Sequence, residues 1–201
     1  MVAPISLYSV NAILILSTEN GERVFAKYYS PPHHATGQAN QPATESPYAD
    51  LKAQKAFEKG LLEKAGKGAS GEIILYDNRV VLYKIESDVG IYVVGNADEN
   101  EVLLYNALLA LRDTLHLLYR ANVDRRTIVE NYDLTGLAID ELCDDGVILE
   151  TDPTIILSRV SKAPTQDVVP LGRIDPFSEQ GVKSLAQIGQ AKLTDWLRQG
   201  L

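Results

Sequence analysis

The sequence predicts an α+β protein whose five-stranded sheet of antiparallel type is flanked by helices and followed by a helical extension. Three observations support this prediction. Five short segments rich in strand-forming residues precede residue 97, a helical segment is inserted after the second of them, and a long helical segment begins at Glu101. The predicted order of elements is therefore β–β–α–β–β–β–α–α–α.

The first two strands form a hairpin in this prediction. Residues 5–17 are rich in strand formers, and residues 12–16 are apolar at every position. A strand of that kind is buried on both faces, so helices should cover both sides of the sheet. The dipeptide Asn20-Gly21 is a strong hairpin signal, and residues 23–29 then return as the second strand.

A proline-rich segment separates this hairpin from the first helix. Residues 30–49 contain four prolines among small and polar residues, which predicts an exposed, disordered loop. Residues 50–65 follow as a helix. Three strands come next, at residues 72–76, 79–87 and 90–95, with turns at 77–78 and 87–90. The expected inner face of the helix is made by Leu51, Ala56, Phe57, Leu61 and Leu62.

The long helix is predicted over residues 101–123, and its sequence is unusually apolar. Asp98 can cap it, with Glu101 three residues on completing a capping-box pattern. More than half of the circumference is apolar, so two sides should be covered. One cover is the rest of the domain, and the other is either a further helical layer or another protein. The main seam is Leu104, Leu108, Leu111, Leu115 and Leu118, beside a second row of Val102, Tyr105, Leu109, His116 and Tyr119.

Shorter elements follow the long helix. Helices are expected at residues 125–132 and 134–143, an extended segment at 147–150, and a helix through residue 160 that Thr151 or Asp152 caps with Pro153 in its first turn. Residues 162–177 read as a linker and 178–201 as an amphipathic helix. We therefore expect one domain over residues 1–161 and an extension over 162–201. The domain's order of elements is that of a profilin-like or longin-like arrangement.

Composition excludes several classes of function. The net charge is −8 with a pI near 4.9, so the basic face of a nucleic-acid binder is missing. An acidic chain does not adhere unaided to anionic membranes. Cys143 is the single cysteine, no basic segment opens the chain, and no apolar run approaches the ~20 residues of a membrane span. We expect a cytosolic protein that reaches a membrane only through something else.

The residues that could carry chemistry all favour a structural interpretation. Five residues separate Gly60 from Gly66, whereas a phosphate loop needs four, and no Ser or Thr follows Lys67. Two adjacent histidines are too few ligands for a structural zinc. The sequence therefore predicts no enzyme, no metal and no cofactor. The other candidates considered are His33, His34, His116, Cys143 and the acidic cluster of Asp140, Glu141, Asp144, Asp145, Glu150 and Asp152.

Four stretches together resemble the coatomer zeta family of the COPI vesicle coat, and more distantly the sigma subunits of clathrin adaptors. They are AKYY at 26–29, QKAFEK at 54–59, ENE at 99–101 and DGVILETDP at 145–153. The likeness runs from about residue 5 to residue 160, and parts of 169–196 also look like this family. The chain departs from it in the loops at 31–47 and 67–71.

The resemblance implies a longin fold and a non-enzymatic small coat subunit, paired with the trunk of the coatomer gamma subunit within a heptameric coat. It implies indirect recruitment by an Arf-family GTPase to Golgi membranes, for Golgi-to-ER retrograde and intra-Golgi transport. The expected location is the cytoplasm and the cytoplasmic face of Golgi membranes and COPI vesicles. The expected partner interface is Phe57, Leu61, Leu62, Leu104, Leu108, Tyr119 and Trp196.

Two alternatives stay open at this point. The first is another longin-domain trafficking protein, such as a clathrin adaptor sigma subunit or a tether subunit. The second, from a different class, is a profilin-like ligand-binding sensor, which would need a pocket with convergent polar groups.

Overall fold

The computed structural model describes residues 7–30, 48, 50–67, 72–120 and 122–161. The chain divides into two compact units, Met1–Lys162 and Ala163–Leu201. The predicted helix over 178–201 and nearly all of the predicted loop over 30–49 lie outside the described residues, as do residues 1–6. Those predictions, and the domain boundary after residue 161, stay predictions.

Five strands form one antiparallel sheet, as the sequence predicts. The spatial order is β2-β1-β5-β4-β3, so β1 and β5 are central and β2 and β3 are the two edges. Asp77 and Asn78 make the tight turn between β3 and β4, both with positive φ, which is the geometry of a two-residue hairpin loop. The strands are β1 (Val10–Ser17), β2 (Arg23–Tyr28), β3 (Ile73–Tyr76), β4 (Arg79–Glu86) and β5 (Val89–Asn96).

The helices and a small ribbon complete the described part. One helix connects β2 to β3, and the others follow β5. The ribbon is a two-stranded pair, and its second strand lies in the extended segment that the sequence predicts at 147–150. Its first strand was not predicted, because a strand of two residues is too short to show alternation. The helices are α1 (Leu51–Lys67), α2 (Glu101–Tyr119), α3 (Arg125–Glu130), α4 (Tyr132–Leu142) and α5 (Pro153–Val160), and the ribbon strands are β6 (Cys143–Asp144) and β7 (Val147–Ile148).

Two separate apolar cores lie on the two faces of the sheet, which confirms the prediction from β1. Along that strand Ile13 and Ile15 point to the core shared with α2, while Leu14 and Leu16 point to the core shared with α1. All four side chains are fully buried. The sheet is therefore the middle layer, with α1 on one side and α2, α3, α4 and α5 on the other.

Helix α2 is covered on its second side by helices of the same chain. The seam residues Leu104, Leu108, Leu111 and Leu115 are fully buried. Both α4 and α5 pack against α2. Of the two covers that the sequence left open, the structure thus shows helices of the same chain, which share one core with α2 and the sheet. The helix is shorter than predicted and ends at Tyr119, because Arg120 adopts the left-handed conformation with φ of 52°.

The N-cap of α2 is Asn100, so the assignment of Asp98 as the cap is corrected. The Asn100 side chain accepts hydrogen bonds from the backbone N–H groups of Val102 and Leu103, at 3.0 and 3.3 Å. Asn is among the strongest N-cap residues for this reason. Helix α5 begins as predicted, with the Asp152 carboxylate accepting from Thr154 and Ile155 and Pro153 in the first turn.

The inner face of α1 differs from the prediction in its polar content. Phe57 and Leu61 are buried as expected, but Leu51 and Ala56 are exposed and Glu58 is buried. Tyr48, which the sequence places in the disordered loop, is also buried, with its ring 4.6 Å from that of Phe57. The Tyr48 hydroxyl donates to the Asp77 carboxylate at 2.7 Å, so the ring is buried while its polar atom keeps a partner.

Glu58 joins α1 to the edge strand β2 by charge. Its carboxylate accepts from the Arg23 guanidinium through two bonds, at 2.5 and 3.1 Å, and from the Tyr28 hydroxyl at 2.9 Å. Burial, with the carboxylate beside it, raises the pKa of Tyr28, so the hydroxyl keeps its proton and donates. Each oxygen of the buried carboxylate therefore has a partner, as a buried charge requires.

We predict that Asn100→Ala lowers the free energy of unfolding by about 1 kcal/mol, because two backbone N–H groups lose their side-chain acceptor. Asp98→Ala, at the position that the sequence first suggested, is the control and should change it by less than about 0.5 kcal/mol. Urea unfolding measures both. Equal losses in the two variants would contradict Asn100 as the cap.

We predict that Glu58→Ala destabilises the domain by about 3 kcal/mol or more, because it leaves the partly buried Arg23 guanidinium without its counter-charge. The matched control is Glu22→Ala, which removes the exposed pair with Arg125 and should cost at most about 1 kcal/mol. Thermal and urea unfolding give the two values. If Glu58→Ala lowered the free energy of unfolding no more than the control does, the Glu58–Arg23 pair would not be a stabilising link between α1 and β2.

Candidate partner-binding surface

Four of the six residues of the acidic cluster take part in a helix cap or an ion pair. Arg159 lies between Glu141 and Glu150, with N–O distances of 3.2 and 3.6 Å, and Lys27 pairs with Asp140. Asp152 caps α5. Across residues 7–30, 50–67, 72–120 and 122–161, no three His, Cys, Asp or Glu side chains converge closely enough to hold a metal ion.

The remaining candidates for chemistry also have structural roles where the structure describes them. The His116 ring lies 3.3 Å from the Glu86 carboxylate on the surface between α2 and β4. Gly60 sits within α1, where a Cβ would come within 2.0 Å of the Tyr76 hydroxyl, so its small size lets that ring pack. His33 and His34 lie outside the described residues.

Cys143 is buried at the start of the small ribbon. Burial raises the pKa of its thiol to about 11, so the thiol is protonated at neutral pH. A protonated, inaccessible thiol is neither a nucleophile nor a metal ligand. This agrees with the interpretation of an inert core residue.

A cleft of about 780 Å³ is lined by residues of α1, β4 and α2, among them Leu62, Tyr83 and Arg112. Its charged groups are paired with each other across the wall. Lys84 bonds to Glu72, and the Arg112 guanidinium lies 3.9 Å from the Glu86 carboxylate. A ligand site would need polar groups that point inward without partners. The cleft therefore does not favour the sensor alternative.

No helix within the described residues combines the length and the apolar character that crossing a membrane requires.

The structure places most of the predicted interface residues inside the domain. Phe57, Leu61, Leu104 and Leu108 expose at most 4% of their surface. Such side chains have no area to offer to a second chain, so we correct the assignment of these four to a partner surface. Leu62 and Tyr119 are half-buried, with the Tyr119 hydroxyl 2.6 Å from the Thr135 hydroxyl, and Trp196 lies outside the described residues.

Apolar side chains that do reach the surface lie elsewhere in the described part. One group is at the β3 edge and the adjoining start of α2, where Ile73, Leu75 and Val102 are 50–67% exposed. Another is on α3 and α4, where Val129, Tyr132 and Leu137 are 48–57% exposed. Val102 belongs to the second apolar row that the sequence predicts on α2. The other members of both groups were not predicted, because a short strand and a broken helix show no clear period. Exposed apolar groups of this kind are common at interaction sites.

The fold and this surface define a class of protein. A five-stranded antiparallel sheet with α1 on one face and α2 on the other is the longin-like architecture that the sequence predicts. The chain matches the family model of the clathrin adaptor complex small chain over residues 9–167. Its backbone is similar to a chain in a homology model of the full-length AP-3 complex in a stretched open conformation, with a TM-score of 0.54, 15% identity, and 75% of this chain and 90% of that chain covered. At that identity the likeness shows the fold alone.

The particular relatives are coatomer subunits. The chain is 41% identical to coatomer subunit zeta of Saccharomyces cerevisiae over 197 residues, which cover 98% of both chains. It is 37% identical to coatomer subunit zeta-1 of Homo sapiens over 188 residues, covering 94% of this chain and 92% of that protein. The chain therefore belongs to the adaptor small-chain family, and the resemblance to the coatomer zeta group is confirmed.

We predict that Cys143 resists a maleimide reagent in the native protein at pH 7 to 8, because the raised pKa keeps the thiol protonated and the core excludes the reagent. Full labelling should appear after unfolding in urea, which serves as the positive control. Mass spectrometry counts the adducts. Rapid labelling of the folded protein would contradict the burial of this thiol.

Proposed function

We propose that this chain is the small, non-enzymatic subunit of a COPI-type coat and pairs with the trunk of a coatomer gamma-type subunit. The observation that carries the proposal is the 41% identity to coatomer subunit zeta over 98% of both chains. Because the alignment covers nearly the whole of both chains, it supports the same role and not merely the same fold. The transport steps proposed are Golgi-to-ER retrieval and intra-Golgi transport.

The charge of the chain is consistent with an indirect attachment to membranes. With a net charge of −8, the chain is repelled by anionic lipid and by nucleic acid. Attachment to the cytoplasmic face of the Golgi then comes from the assembled coat, which an Arf-family GTPase recruits through other subunits. No cofactor is needed for this role.

The surface proposed for the large subunit is the apolar group on α3 and α4. Val129 and Tyr132 are three residues apart on either side of the break between these helices, and Leu137 follows on α4. The Tyr132 ring packs 5.3 Å from that of Phe25, which fixes its orientation on the surface. Fixed aromatic side chains are frequent centres of binding energy at interfaces. Trp196 and the predicted helix over 178–201 are proposed as a second contact.

A sigma-type subunit of a clathrin adaptor is the main rival, since the family model that the chain matches is that of the clathrin adaptor complex small chain. The two functions differ in the large subunit that the chain selects. The profilin-like sensor lacks support, because the charged groups of the cleft are paired with one another.

We predict that the full chain, co-expressed with a coatomer gamma trunk, copurifies as a one-to-one complex and does not copurify with the large subunit of a clathrin adaptor. Leu137→Asp should weaken the complex by about thirtyfold, the scale of an interface hot spot. Leu51→Asp is the matched control, because Leu51 is equally exposed but lies on the α1 side of the sheet. Size-exclusion chromatography and calorimetry measure both. Preference for the adaptor large subunit would overturn the proposed function, whereas equal effects of the two variants would overturn only the proposed surface.

A further inference from the structure

The two edges of the sheet are protected to very different degrees. At the β2 edge, Arg23 and Lys27 pair with Glu58 and Asp140, and α3 packs beside the strand. Charged side chains and covering helices are the usual means of preventing an edge from pairing with another strand. The β3 edge (Ile73–Tyr76, sequence IILY) carries no charge of its own. Lys64 of α1 reaches this edge, and its Nζ lies 2.5 Å from the carbonyl of Leu75.

The register of β3 shows which backbone groups face outward. Tyr76 pairs with Arg79 around the two-residue turn, and the N–H of Tyr83 donates to the carbonyl of Glu72 at 2.9 Å. In an antiparallel ladder the residues that bond to the neighbour alternate with those that point away. Residues 72, 74 and 76 therefore bond to β4, while Ile73 and Leu75 direct their N–H and C=O groups away from the sheet.

No strand lies beside these four outward groups in the part of the chain that the structure describes. Lys64 binds one of them, the carbonyl of Leu75, which leaves the N–H and C=O of Ile73 and the N–H of Leu75 for an added strand. An antiparallel strand can exchange both hydrogen bonds with one residue such as Ile73 and accept a third from Leu75. This is the hydrogen-bonding pattern by which extended peptides add to a sheet.

The side chains next to these groups form an apolar shelf. Ile73 and Leu75 project to the α2 side, where they are 50% and 61% exposed, and Val102 beside them is 67% exposed. A shallow groove runs from Ile73 to Val102 and is bounded by Glu72, Glu101 and Tyr105. Alternate apolar side chains of an added strand would rest on this shelf.

Charge indicates what kind of strand fits. Glu101 is exposed at the end of the groove, and the hydrogen bond from Lys84 lowers the pKa of Glu72, which keeps that carboxylate ionised. Lys84 offsets the Glu72 charge, so the charge left uncompensated among the described residues that line the groove is that of Glu101. A second copy of this chain would bring its own Glu101 and a net charge of −8 to the same place. A segment with basic residues is complementary, and a second copy is not.

We propose that the β3 edge binds an extended segment of another protein, which adds to the sheet as a sixth strand. The segment has apolar side chains at alternate positions over Ile73, Leu75 and Val102, and a basic residue beside Glu101. This binding does not involve the α3–α4 surface and does not depend on the large subunit proposed above.

The test uses the full chain and a synthetic peptide with Val at alternate positions, Thr between them and Lys at both ends. Residue-resolved hydrogen–deuterium exchange reads the result. With saturating peptide, the exchange rates of the Ile73 and Leu75 amides should fall by at least about tenfold, because their N–H groups become hydrogen-bonded to the added strand. The amides of Ile74 and Tyr76, already bonded to β4, should not change. A peptide N-methylated at its ladder-facing amides keeps the same side chains and charge, and it should not bind.

Two variants separate backbone pairing from apolar adhesion. Ile73→Pro removes one outward N–H and no bond to β4, which an edge strand tolerates, and it should abolish binding. Ile73→Val keeps the N–H and should bind as the unmodified chain does. Glu101→Gln should weaken binding roughly two- to fivefold, as for one exposed ion pair.

Any of three results would overturn the proposal. The first is equal binding of the N-methylated and unmodified peptides. The second is unchanged binding by Ile73→Pro. The third is slow exchange of the Ile73 and Leu75 amides without peptide, which would mean that a segment of this chain or a second copy already occupies the edge. None of these results bears on copurification with the gamma trunk, so the two proposals fail separately.

Discussion

The burial of the central strands β1 and β5 on both faces is the constraint on which the rest of the structure depends. Seven of the eight residues of each strand are buried. A strand of this kind cannot face water on either side, so the chain must provide helices above and below the sheet. Helix α1, inserted between β2 and β3, covers one face, and α2 covers the other. The order of elements follows from the need to reach both faces from one sheet.

Much of this was predictable because it rests on periodicity. The run of apolar residues in β1, the leucine seam of α2 and the turn signals between strands all act over several residues, so they survive small errors of boundary. Features set by one residue were not predictable. Asp98 and Asn100 are both good caps, and only the backbone geometry shows which of them reaches the first free N–H groups. Glu58 looks like a solvent-facing helix residue until β2 brings Arg23 to it.

The interface prediction failed for four residues for a related reason. An apolar arc wider than one stripe shows that a helix is covered on two sides, but not by what. In α2 the second cover is α4 and α5, which the sequence also predicted as helices without assigning them a place. The same types of apolar side chain are buried within a chain and against a partner. Hydrophobic periodicity alone therefore finds cores better than it finds partner surfaces.

Partner surfaces are better sought where an apolar residue stays exposed although a polar one would cost nothing. At an edge strand a single Lys in place of Ile73 or Leu75 would add solubility and prevent unwanted pairing, as Lys27 does on the opposite edge. The shortness of β3 limits the hazard, since four residues offer few backbone groups to an unwanted partner. Lys64 limits unwanted pairing further, because it occupies the carbonyl of Leu75. A strand stays bound only if it also packs apolar side chains on the shelf and places a basic residue beside Glu101. An edge strand that is short and partly blocked, but still apolar, is more consistent with a selective binding site than with an edge that is merely unprotected.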